Sequence, residues 1–241
     1  MWQENGFLKT EWMSDRSDEI LAYEKLGVIM IFEAEHICLS LDGKNILNDI
    51  NLSMEDHKIY AFVGQNGAGK TMLFRVLSGL IKANSGRVLL DGRELHKDMN
   101  ILPSLGIMLE NEGLYPDLSG YENLKLIASI HKKIEKTHIR EVIKKVGLNP
   151  DDKKKFSKYS LGMKQRIVLA QAIMEDPDIL MLDEPTNALD QDGVGDIREL
   201  ILEQKRRGAI VLLASHNPED IRMLADKIYR IREGVLTEYE D

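Results

Sequence analysis

The chain has 241 residues, enough for one large α/β domain with its own core. Its 43% hydrophobic and 30% charged residues are ordinary for a globular fold. A net charge of -8 argues against nucleic acid as a partner, a single cysteine (Cys38) excludes an internal disulfide, and no run of about 18 apolar residues is present to form a membrane-spanning helix.

Residues 1–30 carry six acidic and three basic side chains and no apolar block, so they do not read as a signal peptide. They hold both tryptophans, Trp2 and Trp12, at irregular spacing. The expectation is a poorly ordered extension, with the folded domain over 31–241. From Phe32 to Val63 the pattern is strand-like, with Asp42-Gly43 as a hairpin turn. Ile59 to Val63 reads as a short buried strand leading into Gly64-Gln65-Asn66-Gly67-Ala68-Gly69-Lys70-Thr71. That octet fits the phosphate-binding pattern G-x-x-x-x-G-K-[ST] in full. Glycines let backbone N–H groups converge on phosphate oxygens. Lys70 supplies a compact positive charge and Thr71 a hydroxyl for Mg²⁺. Met72 opens the following helix, whose apolar spacing is Leu73, Val76, Leu77 and Leu80. A helix N-terminus placed there favours anions.

Ser85 to Gly92 reads as another strand closed by a turn. A helical subdomain is expected over about 111–163, with helices around Leu124–Ile130 and Ile139–Val146, the second stopped by Gly147. Residues 131–155 hold nine Lys/Arg against four Asp/Glu. A solvated helix surface is the favoured reading of that excess, anionic lipid headgroups the alternative. His131 and His138 lack other ligand types beside them, and no metal site is expected there. Ile179-Leu180-Met181-Leu182 and Ala209 to Leu213 are continuous apolar runs, as in parallel strands buried on both faces. Asp183 and Glu184 follow the first run. Side chains alternate along a strand, so the two carboxylates should diverge, Asp183 toward Mg²⁺ and Glu184 toward an attacking water.

Taken in order, these motifs resemble the nucleotide-binding subunit of ABC transporters over about Phe32 to Gly234. The phosphate loop is followed by Glu110, then by Tyr159-Ser160-Leu161-Gly162-Met163-Lys164-Gln165-Arg166 as the signature, Asp183-Glu184, Asn187-Ala188-Leu189-Asp190, and Ser215-His216. The resemblance implies a mostly parallel sheet core with an antiparallel β subdomain and a helical subdomain. It implies hydrolysis of MgATP to ADP and phosphate in a head-to-tail dimer, with a homodimer expected. Lys70, Glu184 and His216 would be catalytic, with Glu184 as base. Thr71, Asp183 and Glu110 would face Mg²⁺. Ser160 and Gly162 would meet the γ-phosphate of the partner's ATP, and Asp190 would cross the dimer. A separate membrane-spanning permease would hold the subunit on the cytoplasmic face of the membrane. The alternative is a soluble ATPase of the same type, acting as a mechanical switch in an assembly or signalling complex.

Three positions depart from the common family pattern. The signature reads Ser-Leu-Gly-Met, and Glu110 stands where a glutamine is usual. Both, with Gly113-Leu114-Tyr115-Pro116, resemble the exporters that include bacitracin-resistance and lantibiotic-immunity ATPases. Leu41 takes the place of the aromatic residue that stacks on the adenine, so base selectivity is expected to be poor, with Phe32 or an aromatic of the extension as the alternative contact.

Overall fold

The computed structural model describes residues 29–109 and 113–239. The expectation for the N-terminal extension, Trp2 and Trp12 included, and the placement of Glu110 lie outside the described residues.

Two sheets carry the domain. Strand β1 (Ile31–Leu41) pairs antiparallel with β2 (Lys44–Glu55) through Asp42 and Gly43. Both turn residues have positive φ, 49° and 74°, which the tight two-residue hairpin loop demands. With β4 (Ser85–Leu90) and β5 (Arg93–Glu94) they form a four-stranded antiparallel sheet in the order β2-β1-β4-β5. Alternation along β1 buries Phe32, Ala34, Ile37 and Leu39, with a register shift between Ala34 and Ile37.

The second sheet has the order β10-β9-β3-β8-β7-β6. Its members are β3 (Lys58–Val63), β6 (Leu105–Met108), β7 (Ile179–Asp183), β8 (Ile210–Ala214), β9 (Lys227–Arg232) and β10 (Val235–Tyr239). All neighbours are parallel except β9 and β10. β8 is buried along its whole length, as its unbroken apolar run predicts. Helix α1 (Lys70–Leu77) leaves the carboxyl end of β3, and Phe74 meets Phe62 edge-on at 5.3 Å between ring centres. The expected continuation of this helix to Leu80 does not occur. Gly79, at φ 82°, ends it in a left-handed turn, and Leu80 is exposed.

Helices α2 (Gly120–His131), α3 (Lys136–Lys145) and α4 (Leu161–Ile173) follow β6. Ser119 and Glu122 form a reciprocal capping box on α2, and Gly147 turns the chain at φ 75° after α3. Leu124, Ile139, Val142, Ile143 and Ile167 share one apolar cluster with β7 and β8. α4 runs past residue 163 to Ile173 and so joins the helical layer to the sheet. The basic excess of residues 131–155 is partly answered by neighbours: Arg140 meets Asp151 at 2.7 Å, Lys145 meets Glu203 at 2.7 Å and Lys155 meets Asp117 at 2.9 Å. Helices α5 (Gln191–Arg206) and α6 (Pro218–Leu224) complete the fold.

Candidate nucleotide site

The parallel strands end on one side of the sheet, where an open α/β fold places its ligands. There the loop after β3 and the ends of β6 and β7 surround a cavity of about 470 Å³. Asn66, Gly67, Gly69, Lys70, Thr71 and Met72 line it from the phosphate loop, and Asp183 and Glu184 from the end of β7. Gly69 caps α1 at φ 111°, a conformation that glycine adopts without strain, and no side chain caps the helix. The first-turn N–H groups therefore face the cavity mouth with the positive end of the helix dipole behind them. Lys70 is buried, and its Nζ donates to the Gly64 carbonyl at 2.7 Å and the Gln65 carbonyl at 3.2 Å. Gly64 and Gln65 thus contribute through their backbone, and Ala68 N–H donates to the Gln65 carbonyl to tighten the loop. Gly64 also has no room for a side chain, since a Cβ there would lie 2.4 Å from the Ile231 carbonyl oxygen.

The two carboxylates diverge, with Asp183 the last residue of β7 and Glu184 just past it, outside the strand whose alternation is expected to separate them. Thr71 Oγ1 donates to Asp183 Oδ2 at 2.6 Å. Glu184 Oε2 lies 2.8 Å from His216 Nδ1 and accepts the His216 backbone N–H at 3.3 Å. Glu184 has φ 52°, a left-handed conformation uncommon for a residue with a side chain. Three contacts to its backbone hold it there. Its N–H donates to the Ala214 carbonyl at 2.8 Å, and its carbonyl accepts from Gln165 Nε2 at 2.6 Å and from the Asn187 N–H at 3.2 Å. Hence α4, which opens with the signature segment, directly supports the residue that follows Asp183.

Thr71 and Asp183 form a hard-oxygen pair beside the phosphate loop. Mg²⁺ commonly takes one or two protein oxygens and completes its shell with water and substrate phosphates, so this pair fits it. Among the described residues no three His, Cys, Asp or Glu side chains converge as a metal cage, which the same coordination habit does not require.

Not every expected residue lines the cavity. Ser160 caps α4 by accepting the Met163 N–H at 3.2 Å, and Gly162 packs toward Ala188. Neither lines the cavity of its own chain, and neither does His216, whose side chain is largely exposed. Asp190 caps α5 by accepting the Gly193 N–H at 3.0 Å. Leu41 is exposed at the end of β1, while Ile46 of β2 lines the cavity instead. Phe32 is 0% exposed, so it cannot be the alternative aromatic over the base. Ile46 and Leu109 escape sequence reasoning because an isolated apolar residue near a strand end carries no local signal. Gln165 sits inside the signature, in the second turn of α4, where an amide among apolar neighbours on its helix face is the signal that could have marked it.

Comparison with known proteins agrees with this geometry. The family model described as ABC transporter matches residues 47–187. The chain is 41% identical over 206 residues to the uncharacterized ABC transporter ATP-binding protein YybJ of Bacillus subtilis, covering 86% of this chain and 94% of that protein. It is 36% identical over 204 residues to the lantibiotic transport ATP-binding protein SrtF of Streptococcus pyogenes, covering 85% and 88%. It is 36% identical over 210 residues to the bacitracin transport ATP-binding protein BcrA of Enterococcus faecalis, covering 86% and 68%. In fold it is similar to the dimeric structure of MJ0796, a bacterial ABC transporter cassette, with a TM-score of 0.76 at 20% identity over 87% of this chain and 99% of that one.

Proposed function

The chain belongs to the ABC transporter family as an ATP-hydrolysing subunit, and from that premise we propose how its residues act and what it serves. Gly64 to Met72 wrap the phosphates of ATP. Lys70 leaves the Gly64 and Gln65 carbonyls for the outer phosphates. Thr71 and Asp183, with Glu110 from the segment after β6, would hold Mg²⁺, which would supply positive charge against the phosphates. Glu184 orients the attacking water and accepts its proton. The new oxygen–phosphorus bond forms as the bond to the β–γ bridging oxygen breaks, leaving ADP and phosphate. His216 holds Glu184 in place and donates to the γ-phosphate. Positioning of this kind accounts for most of what phosphoryl transfer asks of a protein.

Ser160 and Gly162 complete the site of a second copy in a head-to-tail dimer, and Ile46 and Leu41 lie toward the base. The dimer drives a separate membrane permease, which holds the subunit at the cytoplasmic face of the membrane. The direction is export, a reading supported by similarity to the lantibiotic and bacitracin transport proteins.

One observation carries the mechanism: Glu184 stands at the cavity wall, 2.8 Å from His216 and one residue beyond the Asp183–Thr71 pair. Glu184→Gln keeps the shape and removes the basicity. Turnover should fall by about two orders of magnitude or more, the scale of a positioned acid–base group, with ATP binding retained. Near-normal steady-state ATPase in the full chain with its membrane subunit would overturn the assignment.

A further inference from the structure

Asp220 is the only buried carboxylate among the described residues, and no sequence motif marks it. It lies in the first turn of α6, four residues beyond His216. Its Oδ2 accepts the Thr186 hydroxyl at 2.5 Å and the Ser215 hydroxyl at 3.2 Å. Its Oδ1 accepts Arg198 Nε at 2.8 Å and lies 2.6 Å from Arg198 Nη2. Thr186 and Ser215 are themselves buried.

The location of the two hydroxyls matters more than their number. Thr186 follows Glu184 by two residues, just past β7. Ser215 immediately precedes His216, just past β8. A single carboxylate oxygen therefore joins the two segments whose side chains meet at 2.8 Å as Glu184 and His216. Ser215 Oγ also accepts the Asn217 N–H at 3.1 Å, which fixes the chain on the far side of His216. Arg198 reaches in from α5 to balance the charge and continues to Glu219 at 3.1 Å. Buried ion pairs are often replaceable by apolar residues with no loss of stability, so stability alone is a poor reason for this arrangement. Charge-assisted bonds are short and directional, so they fix geometry well.

We propose that Asp220 is a positioning residue for ATP hydrolysis: through Thr186 and Ser215 it sets the relative placement of Glu184 and His216, with Arg198 as its counter-charge. The proposal rests on the reading of Glu184 as base. A displacement of about 1 Å in such a pair costs on the order of a hundredfold in rate, while nucleotide contacts made elsewhere are untouched.

The test uses the full chain with its membrane subunit and measures kcat, KM for ATP and melting temperature. Thr186→Val is near-isosteric and removes only the hydroxyl donor. It should lower kcat about tenfold or more with KM within about twofold of wild type, and Thr186→Ser should restore kcat. Asp220→Asn should show the same split if it folds. A second arm, Ser215→Ala, should resemble Thr186→Val, and the double variant should fall short of the product of the two, since both hydroxyls act on one oxygen. Unchanged kcat in Thr186→Val, or a fall that Thr186→Ser does not reverse, overturns the proposal. Glu184→Gln, run in parallel, separates the two readings. If it is inactive while Thr186→Val is normal, only the positioning role fails; if it is active, the reading beneath that role fails as well.

Discussion

At the scale of single residues, the site depends on groups held in unfavourable places. Glu184 sits at φ 52°, and its carboxylate is engaged by His216. Lys70 rests on two carbonyls of its own loop. The Lys70 contacts are ones that bound nucleotide would replace. Glu110 adds a charge where a neutral amide is usual. A carboxylate attracts Mg²⁺ more strongly than an amide but repels phosphate. Glu110→Gln should preserve ATP binding and shift the Mg²⁺ dependence of turnover, which a Mg²⁺ titration of ATPase reads directly; an unshifted curve would make Glu110 a bystander. The base presents a different problem. Ile46 lines the cavity and Leu41, which we place toward the base, lies outside that lining; both would offer apolar contact without a π face, and neither would read an edge of the base. GTP should therefore be used nearly as well as ATP. Leu41→Tyr should tighten ATP binding by up to about tenfold if about 1.4 kcal/mol of stacking is recovered, as measured by titration calorimetry. No gain would mean that the base lies away from the end of β1.

At the scale of elements, close approaches hold the site's supports together. Gly106 in β6 lies against α4, and a Cβ there would fall 2.0 Å from the Ala172 carbonyl oxygen. Backbone cannot yield as a flexible side chain can. Gly106→Ala should destabilise the fold by about 2–3 kcal/mol, seen as a lower urea midpoint, and should impair turnover by shifting the helix that holds Glu184 through Gln165. The capping box on α2 contributes differently. Ser119→Ala should cost about 1 kcal/mol. The Glu122 carboxyl is held below its ordinary range, first by the Ser119 backbone N–H and then by its hydroxyl. A depressed folded-state pKa means that this contribution is complete above the unfolded value and is lost as pH falls through the lowered one. Glu122→Gln should therefore flatten the acid side of the stability curve.

What the sequence made legible follows from the same physics. β7, β8 and the Asp42-Gly43 hairpin were readable because a continuous apolar run and a two-residue turn are local patterns. The phosphate loop and the Asp183-Glu184 step were readable because their chemistry is consecutive in the chain. Ile46 and the Asp220 cluster were not, because they come together only through tertiary packing: Thr186, Arg198, Ser215 and Asp220 lie past two strand ends and on two helices. Apolar periodicity carries the helix after the phosphate loop on to Leu80, but Gly79 in a left-handed conformation ends it sooner.

At the scale of the whole molecule, the cavity and the signature are two surfaces that one chain does not bring together. The cavity holds the phosphate loop, Asp183 and Glu184, while Ser160 and Gly162 lie outside its lining at the start of α4. In a head-to-tail dimer that helix start would meet the γ-phosphate of the facing copy, where a positive dipole end and free N–H groups favour an anion. Ser160→Asp tests this with the fold left intact. Aspartate caps a helix about as well as serine, so α4 should be as stable as before. The added carboxylate would face the γ-phosphate only if the two copies meet as proposed. ATP affinity of the separated chain should then stay within about twofold, while turnover falls at least tenfold. In a Glu184→Gln background, ATP should produce a dimer by light scattering, and adding Ser160→Asp should abolish it. A Ser160→Asp variant that hydrolyses ATP normally would place the signature away from the nucleotide and leave the head-to-tail arrangement without its central contact.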